Sequence, residues 1–213
     1  MKFTVPVIVL AVLLTAAPLS AQNRYFDLTA NAVWMDTSAS GTFEDLGNPS
    51  TLDFDPTMGY GIAANIFFGN RISAEFAIAR VNADTNIARR PAVGRAGGEL
   101  EIMPVTAVLQ FHFAPHSFID PYIGVGAAYV LFDDISANGI EGLDRIDFDD
   151  DVGLAINAGL GIRLGSRFGI TLDGKYVPLD ATARAIVVGG SESADARFDV
   201  NPIILSAGLT IRF

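Results

Sequence analysis

The chain has 213 residues, with 14 Lys and Arg against 24 Asp and Glu, and a formal charge of −10. Half of its residues are hydrophobic, 18% are charged and the mean hydropathy is +0.37, too apolar for a disordered chain. The absence of Cys excludes disulfide scaffolds, thiolate metal sites and thiol catalysis. The acidic balance argues against nucleic acid as a partner, because binding phosphates needs a basic surface. No helix-length apolar segment stands in the body of the chain. The most apolar stretch, between Glu101 and Asp120, is interrupted by Pro104, Gln110, His112, Pro115 and His116. An apolar chain without spanning helices points to the other structure that satisfies its backbone in lipid, a closed membrane β-barrel.

Residues 1–21 read as a signal peptide. Lys2 gives a basic start, Val5 to Leu14 form a short apolar run, and Pro18-Leu19-Ser20-Ala21 ends in small residues suited to cleavage. Residues 22–213 are then the barrel. From Tyr25 onward, eight segments alternate with period two.

The first segment sets Phe26, Leu28, Ala30, Ala32 and Trp34 against Asp27, Thr29 and Asn31. The second, over residues 57–68, directs Met58, Tyr60, Ile62, Ala64, Ile66 and Phe68 outward and Gly59, Gly61, Ala63 and Asn65 inward. The third alternates Ile72, Ala74, Phe76 and Ile78 with Ser73 and Glu75. The fourth, over 99–113, is apolar on both faces; Leu109, Phe111 and Phe113 are placed outward, Gln110 and His112 inward. In the fifth, Ile123, Val125, Ala127 and Tyr129 oppose Tyr122, Gly124 and Gly126. The sixth sets Val152, Leu154, Ile156, Leu160 and Ile162 against Asn157, Gly159, Gly161 and Arg163. The seventh opposes Phe168, Ile170, Leu172 and Tyr176 to Thr171, Asp173 and Lys175; the eighth opposes Ile203, Leu205, Leu209, Ile211 and Phe213 to Ser206, Gly208 and Arg212.

The connections alternate too. Residues 69–71, 114–120 and 165–167 are short, whereas 37–55, 84–98, 133–150 and 178–196 are long and polar. Short periplasmic turns with long external loops are the outer-membrane pattern. The fold class predicted is all-β: an eight-stranded, antiparallel, up-and-down transmembrane β-barrel in the bacterial outer membrane. A soluble sandwich would use the same alternation, but it does not account for the signal peptide or the loop asymmetry.

Ser206, Gly208, Ile211 and Phe213 follow the spacing polar-x-Gly-x-x-apolar-x-aromatic. This resembles the insertion signal that the barrel-assembly machinery reads on bacterial outer-membrane barrels, where a strand edge pairs with a partner sheet.

Several stretches resemble the OmpW family of small outer-membrane barrels. They are Met58-Gly59-Tyr60-Gly61 through Phe68, Pro104 with Gln110-Phe111-His112-Phe113, Pro121-Tyr122-Ile123-Gly124-Val125-Gly126, Asp173-x-Lys175-Tyr176, and Asn201-Pro202. The opening Arg24-Tyr25-Phe26-Asp27 departs from the family's usual Trp-x-Arg-x-Gly-like start. The resemblance implies a cofactor-free, porin-like channel for passive transport of small, mainly hydrophobic molecules. The competing expectation is a structural or adhesive OmpA-like barrel without transport.

The inward polar set marks the candidate lumen and gate: Glu75, Gln110, His112, Asn157, Arg163, Asp173, Lys175 and Arg212. Glu75, Arg163 and Arg212 are expected to share a mixed-charge cluster near the periplasmic end, since buried charges must be paired. Gly59-Gly61, Gly124-Gly126 and Gly159-Gly161 are expected to leave room above it. No enzyme is expected, because neither His112 nor His116 sits in a recognisable Ser-His-acid sequence context. In the third long loop, Asp147, Asp149, Asp150 and Asp151 are candidate ligands for a divalent cation shared with lipopolysaccharide phosphates. A solvated acidic surface is the blander alternative. Outer-membrane lipid, lipopolysaccharide, the assembly machinery and small hydrophobic solutes are the expected partners.

Overall fold

The computed structural model of the chain describes residues 25–40, 50–54, 56–89, 95–132, 135–136, 143–148, 151–187 and 193–213. The expected signal peptide lies outside them. Eight long strands form the wall: β1 (Phe26–Ser40), β3 (Thr57–Phe67), β4 (Ile72–Arg89), β5 (Arg95–His112), β6 (Ile119–Phe132), β9 (Asp151–Arg163), β10 (Phe168–Tyr176) and β12 (Ser193–Arg212). Each pairs antiparallel with its neighbour in chain order, and β1 pairs with β12 from Asp27↔Arg212 to Ser40↔Asp199. That last ladder closes the sheet and removes its edges.

The period-two pattern places side chains as the alternation requires. Met58, Tyr60, Val152 and Leu209 point outward and are each at least 66% exposed. Apolar side chains this bare are stable only against lipid, so the wall is a membrane-facing belt. Phe68, Phe113, Phe118 and Phe168 are exposed near the short turns, as in an aromatic girdle. The register of the fourth segment, the hardest to read, is as expected: Leu109 and Phe111 are exposed, whereas Thr106, Val108, Gln110 and His112 are buried.

The long connections differ from expectation. Strands β4 and β5 run on through most of the predicted loop 84–98 and pair as far as Ala88↔Arg95. Four short strands, β2 (Ser50–Phe54), β7 (Ile135–Ser136), β8 (Leu143–Phe148) and β11 (Leu179–Val187), add to the sheet within the other three predicted loops. Polar residues interspersed along these stretches hide the alternation in the sequence. Backbone groups still need partners, and extending a ladder already begun supplies them. At the opposite end the turns are tight. Gly69, with φ of 83°, lies in the left-handed region and reverses the chain between β3 and β4.

Candidate functional site

Inward-facing strand positions build a buried polar layer. Lys175 on β10 forms ion pairs with Glu75 of β4 at 2.9 Å and with Asp173. Asp173 Oδ2 also accepts from the Tyr122 hydroxyl and the Asn157 amide, both at 2.9 Å. Glu75 Oε2 accepts from Gln110 at 3.0 Å and from Asn65 at 3.4 Å. The layer therefore joins β3, β4, β5, β6, β9 and β10 across the lumen. Its charges are buried but paired, which is the condition under which buried charges are tolerated.

The layer continues towards the periplasmic turn through Ser73. Its Oγ lies 3.0 Å from His112 Nε2, and His112 Nδ1 lies 2.8 Å from Asp120 Oδ2. The fold thus assembles a Ser-His-Asp arrangement that the sequence reading did not find, because Asp120 looked like part of a turn. The arrangement is ill suited to nucleophilic attack. Ser73 is fully buried, and its hydroxyl also donates towards Asn65 Oδ1 at 3.0 Å and Gln110 Oε1 at 3.2 Å. One proton is contested by several acceptors, whereas an activated serine must give it to the histidine. Asp120 Oδ1 accepts from the Ala114 N–H at 3.3 Å, so the carboxylate also ties the turn to the lumen floor.

The expected cluster of Glu75, Arg163 and Arg212 is not formed. Glu75 joins Lys175. Arg212 faces Asp27, with Nε 3.8 Å from Oδ2. Arg163 donates to the carbonyls of Pro115 at 2.6 Å and His116 at 3.3 Å, clamping the turn from outside the layer. The physical reason is register: same-face positions on separate strands meet only when the barrel's stagger brings them level, and periodicity alone does not give that stagger. The inward glycines also differ from expectation. A Cβ at Gly159 would strike the Tyr122 hydroxyl, one at Gly124 would strike Asn157 Oδ1, and one at Gly126 would strike the Ala107 carbonyl. These glycines admit close neighbours, so their missing side chains are filled by other groups of the wall and layer.

On the extracellular side of the layer the lumen changes character. Val33, Met35, Val81, Ile102, Ala128, Val130, Val177 and Ile204 are all buried there, and apolar packing replaces the ion pairs. The wall beside this section is interrupted. The β4–β5 ladder is continuous from Ile72↔Phe111 to Ile78↔Val105 and resumes at Val81↔Ile102, without rungs for Ala79, Arg80, Met103 and Pro104. The β5–β6 ladder is unbroken past Pro104↔Val130. Pro104 has no N–H to donate, and the missing donor faces β4.

Among the metal candidates, Asp149 and Asp150 lie outside the described residues. Asp147 is placed only as a backbone position of β8, opposite Arg184, and Asp151 opposite Val130.

A family model described as the OmpW family matches residues 26–213. The chain belongs to the OmpW family. It is 31% identical over 165 residues to the uncharacterized outer-membrane protein y4mB of Sinorhizobium fredii, covering 77% of this chain and 69% of that protein. It is 25% identical over 215 residues to outer membrane protein W of Vibrio cholerae, covering 98% of each. The crystal structure of OprG from Pseudomonas aeruginosa superposes with a TM-score of 0.77 at 20% identity, covering 90% of this chain and 97% of that one. OmpW-family membership places this barrel in the bacterial outer membrane, and the family is not known for enzymes.

The spacing at 206–213 has a structural reason in this OmpW-family barrel. Phe213 N–H donates to the Phe26 carbonyl at 2.9 Å, and Tyr25 N–H donates to the Phe213 carbonyl at 3.2 Å. The Phe26 and Phe213 rings pack with centroids 5.8 Å apart. A Cβ at Gly208 would meet Asn31 Oδ1 and, at 2.5 Å, the Ala30 carbonyl. Both residues thus fasten the closing β1–β12 ladder. We expect deletion of Phe213, or Gly208→Glu, to lower the amount of heat-modifiable protein in the outer membrane. Refolding into detergent separates the two roles. A Phe213 deletion that refolds normally in detergent but fails to insert in cells supports recognition by the assembly machinery; unchanged insertion in cells removes that role.

Proposed function

We propose that this barrel moves small, mainly hydrophobic solutes passively across the outer leaflet and releases them sideways into the membrane. The observation that carries this reading is the rung gap between β4 and β5 at Pro104, which borders the apolar section of the lumen. The inner side of the gap carries Ala79, Val81, Ile102 and Pro104. Within the described lumen, an apolar solute coming from outside meets apolar side chains before it reaches the ion pairs. Straight passage to the periplasm would carry it through the paired charges around Lys175, where displacing hydrogen-bonded groups is costly. Sideways exit leads to lipid, in which it dissolves. The extracellular loops and their acidic residues would then serve as the entrance. No cofactor is required.

The competing reading, an OmpA-like structural or adhesive barrel, makes no use of the gap. Purified protein in lipopolysaccharide-containing vesicles distinguishes them. We expect faster entry of the lipophilic fluorophore N-phenylnaphthylamine than in protein-free vesicles, with potassium flux at the protein-free level. Equal fluorophore entry with and without folded protein would leave the structural reading standing.

A further inference from the structure

The gap in the wall is flanked by charge. Arg80 precedes Val81, the residue at which the β4–β5 ladder resumes, and Glu101 follows one position beyond on β5, opposite Asn82. Both side chains point outward, since Arg80 alternates with buried Val81 and Glu101 with buried Ile102. They meet in a direct ion pair, Arg80 Nη2 to Glu101 Oε2, with side chains 49% and 25% exposed. The diagonal pair therefore crosses the seam over the rung Val81↔Ile102, at the edge of the stretch where backbone rungs are missing. Charged side chains on the lipid face are costly at the midplane and nearly free near the interfaces. Outward Tyr60 is the ladder partner of Arg80. Tyrosine at the headgroup boundary is the usual marker of that interface. The ion pair thus sits where an apolar solute leaving the lumen would enter the lipid.

We propose that Arg80 and Glu101 form a clasp that holds the β4–β5 gap shut on its membrane-facing side and sets how readily it opens. This rests on the lateral-exit reading above and adds to it the residues that control the exit. Backbone bonds resist separation of the strands elsewhere along this seam. At the edge of the gap one side-chain pair adds a fastening next to the missing Pro104 donor, and it can part and re-form without unzipping the sheet. An ion pair near a headgroup boundary has little strength, which suits a fastening that must yield.

The test uses the full-length protein in lipopolysaccharide-containing vesicles, with three variants: Arg80→Gln, Glu101→Gln and the exchanged pair Arg80→Glu with Glu101→Arg. N-phenylnaphthylamine entry and amide hydrogen exchange at Ala79 and Val81, whose N–H groups face β5, are measured on each heat-modifiable, folded protein. Either neutral variant is expected to raise entry about threefold, the scale set by a weak ion pair, and to speed exchange at both amides. The exchanged pair is expected to return both towards the starting protein. Entry and exchange unchanged in folded neutral variants would overturn the clasp, as would an exchanged pair no different from the neutral ones. If no protein accelerates entry yet exchange still rises in the neutral variants, the lateral-exit reading fails while the clasp stands as a fastening of the wall.

Discussion

Replacing Lys175 with Met is expected to cost the barrel about 3–5 kcal/mol, the usual consequence of leaving buried carboxylates without their cation. Lys175 is the shared partner of Glu75 and Asp173, and those two acids lie on opposite sides of the lumen in β4 and β10. Without the ammonium group, Glu75 keeps donors from Gln110 and Asn65, and Asp173 keeps Tyr122 and Asn157. Those neutral donors offset only part of two buried negative charges. Urea unfolding of protein refolded in detergent measures the loss directly, through the midpoint and the linear slope. A Lys175→Met protein that unfolds at the starting midpoint would show that the layer does not depend on ion pairing. A triple change, Glu75→Leu, Asp173→Leu and Lys175→Met, is expected to recover part of the loss, because exchanging a whole buried ionic group for apolar side chains is often near neutral. Full recovery is not expected, since Tyr122 and Asn157 would lose their acceptor.

Much of this architecture was legible in the residues. Strict alternation along β9 and β12 fixes which side chains meet lipid, and the short turns fix the antiparallel order. The charged and amide residues at the centre of the layer could be named, because a strand's period is two and the opposite face is apolar. What the residues did not give was the stagger between strands. Glu75 and Lys175 are 100 positions apart, and nothing in either segment says that they meet. Arg163 obeys the inward alternation, but it sits at the last position of β9 and reaches out to a turn instead. The lumen partners that were missed had weak signals: Ser73 and Tyr122 alternate inward, yet a small hydroxyl and an aromatic ring read as filler. Asp120 was assigned to the turn when it is the buried partner of His112. Pro104 carried the clearest unused signal, because proline inside a strand removes a ladder donor and marks an edge or an irregularity.

Pro104 also gives the second large expected effect. Pro104→Ala restores an N–H facing β4 and allows a rung to form with Ala79. One net backbone hydrogen bond contributes about 1 kcal/mol, so the closed wall gains that much over the open one. N-phenylnaphthylamine entry through the folded variant is therefore expected to fall about fivefold, the equilibrium factor for about 1 kcal/mol, with a small rise in resistance to urea. The sign is opposite to that expected for Glu101→Gln, although the two positions lie on the same strand three residues apart. Combining them gives a sharper result than either alone. If one gap governs exit, the restored rung takes over the clasp's work, and the increase caused by Glu101→Gln should shrink in the Pro104→Ala background. Neighbouring groups acting on one opening are non-additive in this way, whereas independent sites add. Strictly additive effects would mean that Pro104 and the Arg80–Glu101 pair act at separate places. Unchanged entry through folded Pro104→Ala would mean that solutes do not leave between β4 and β5 at all.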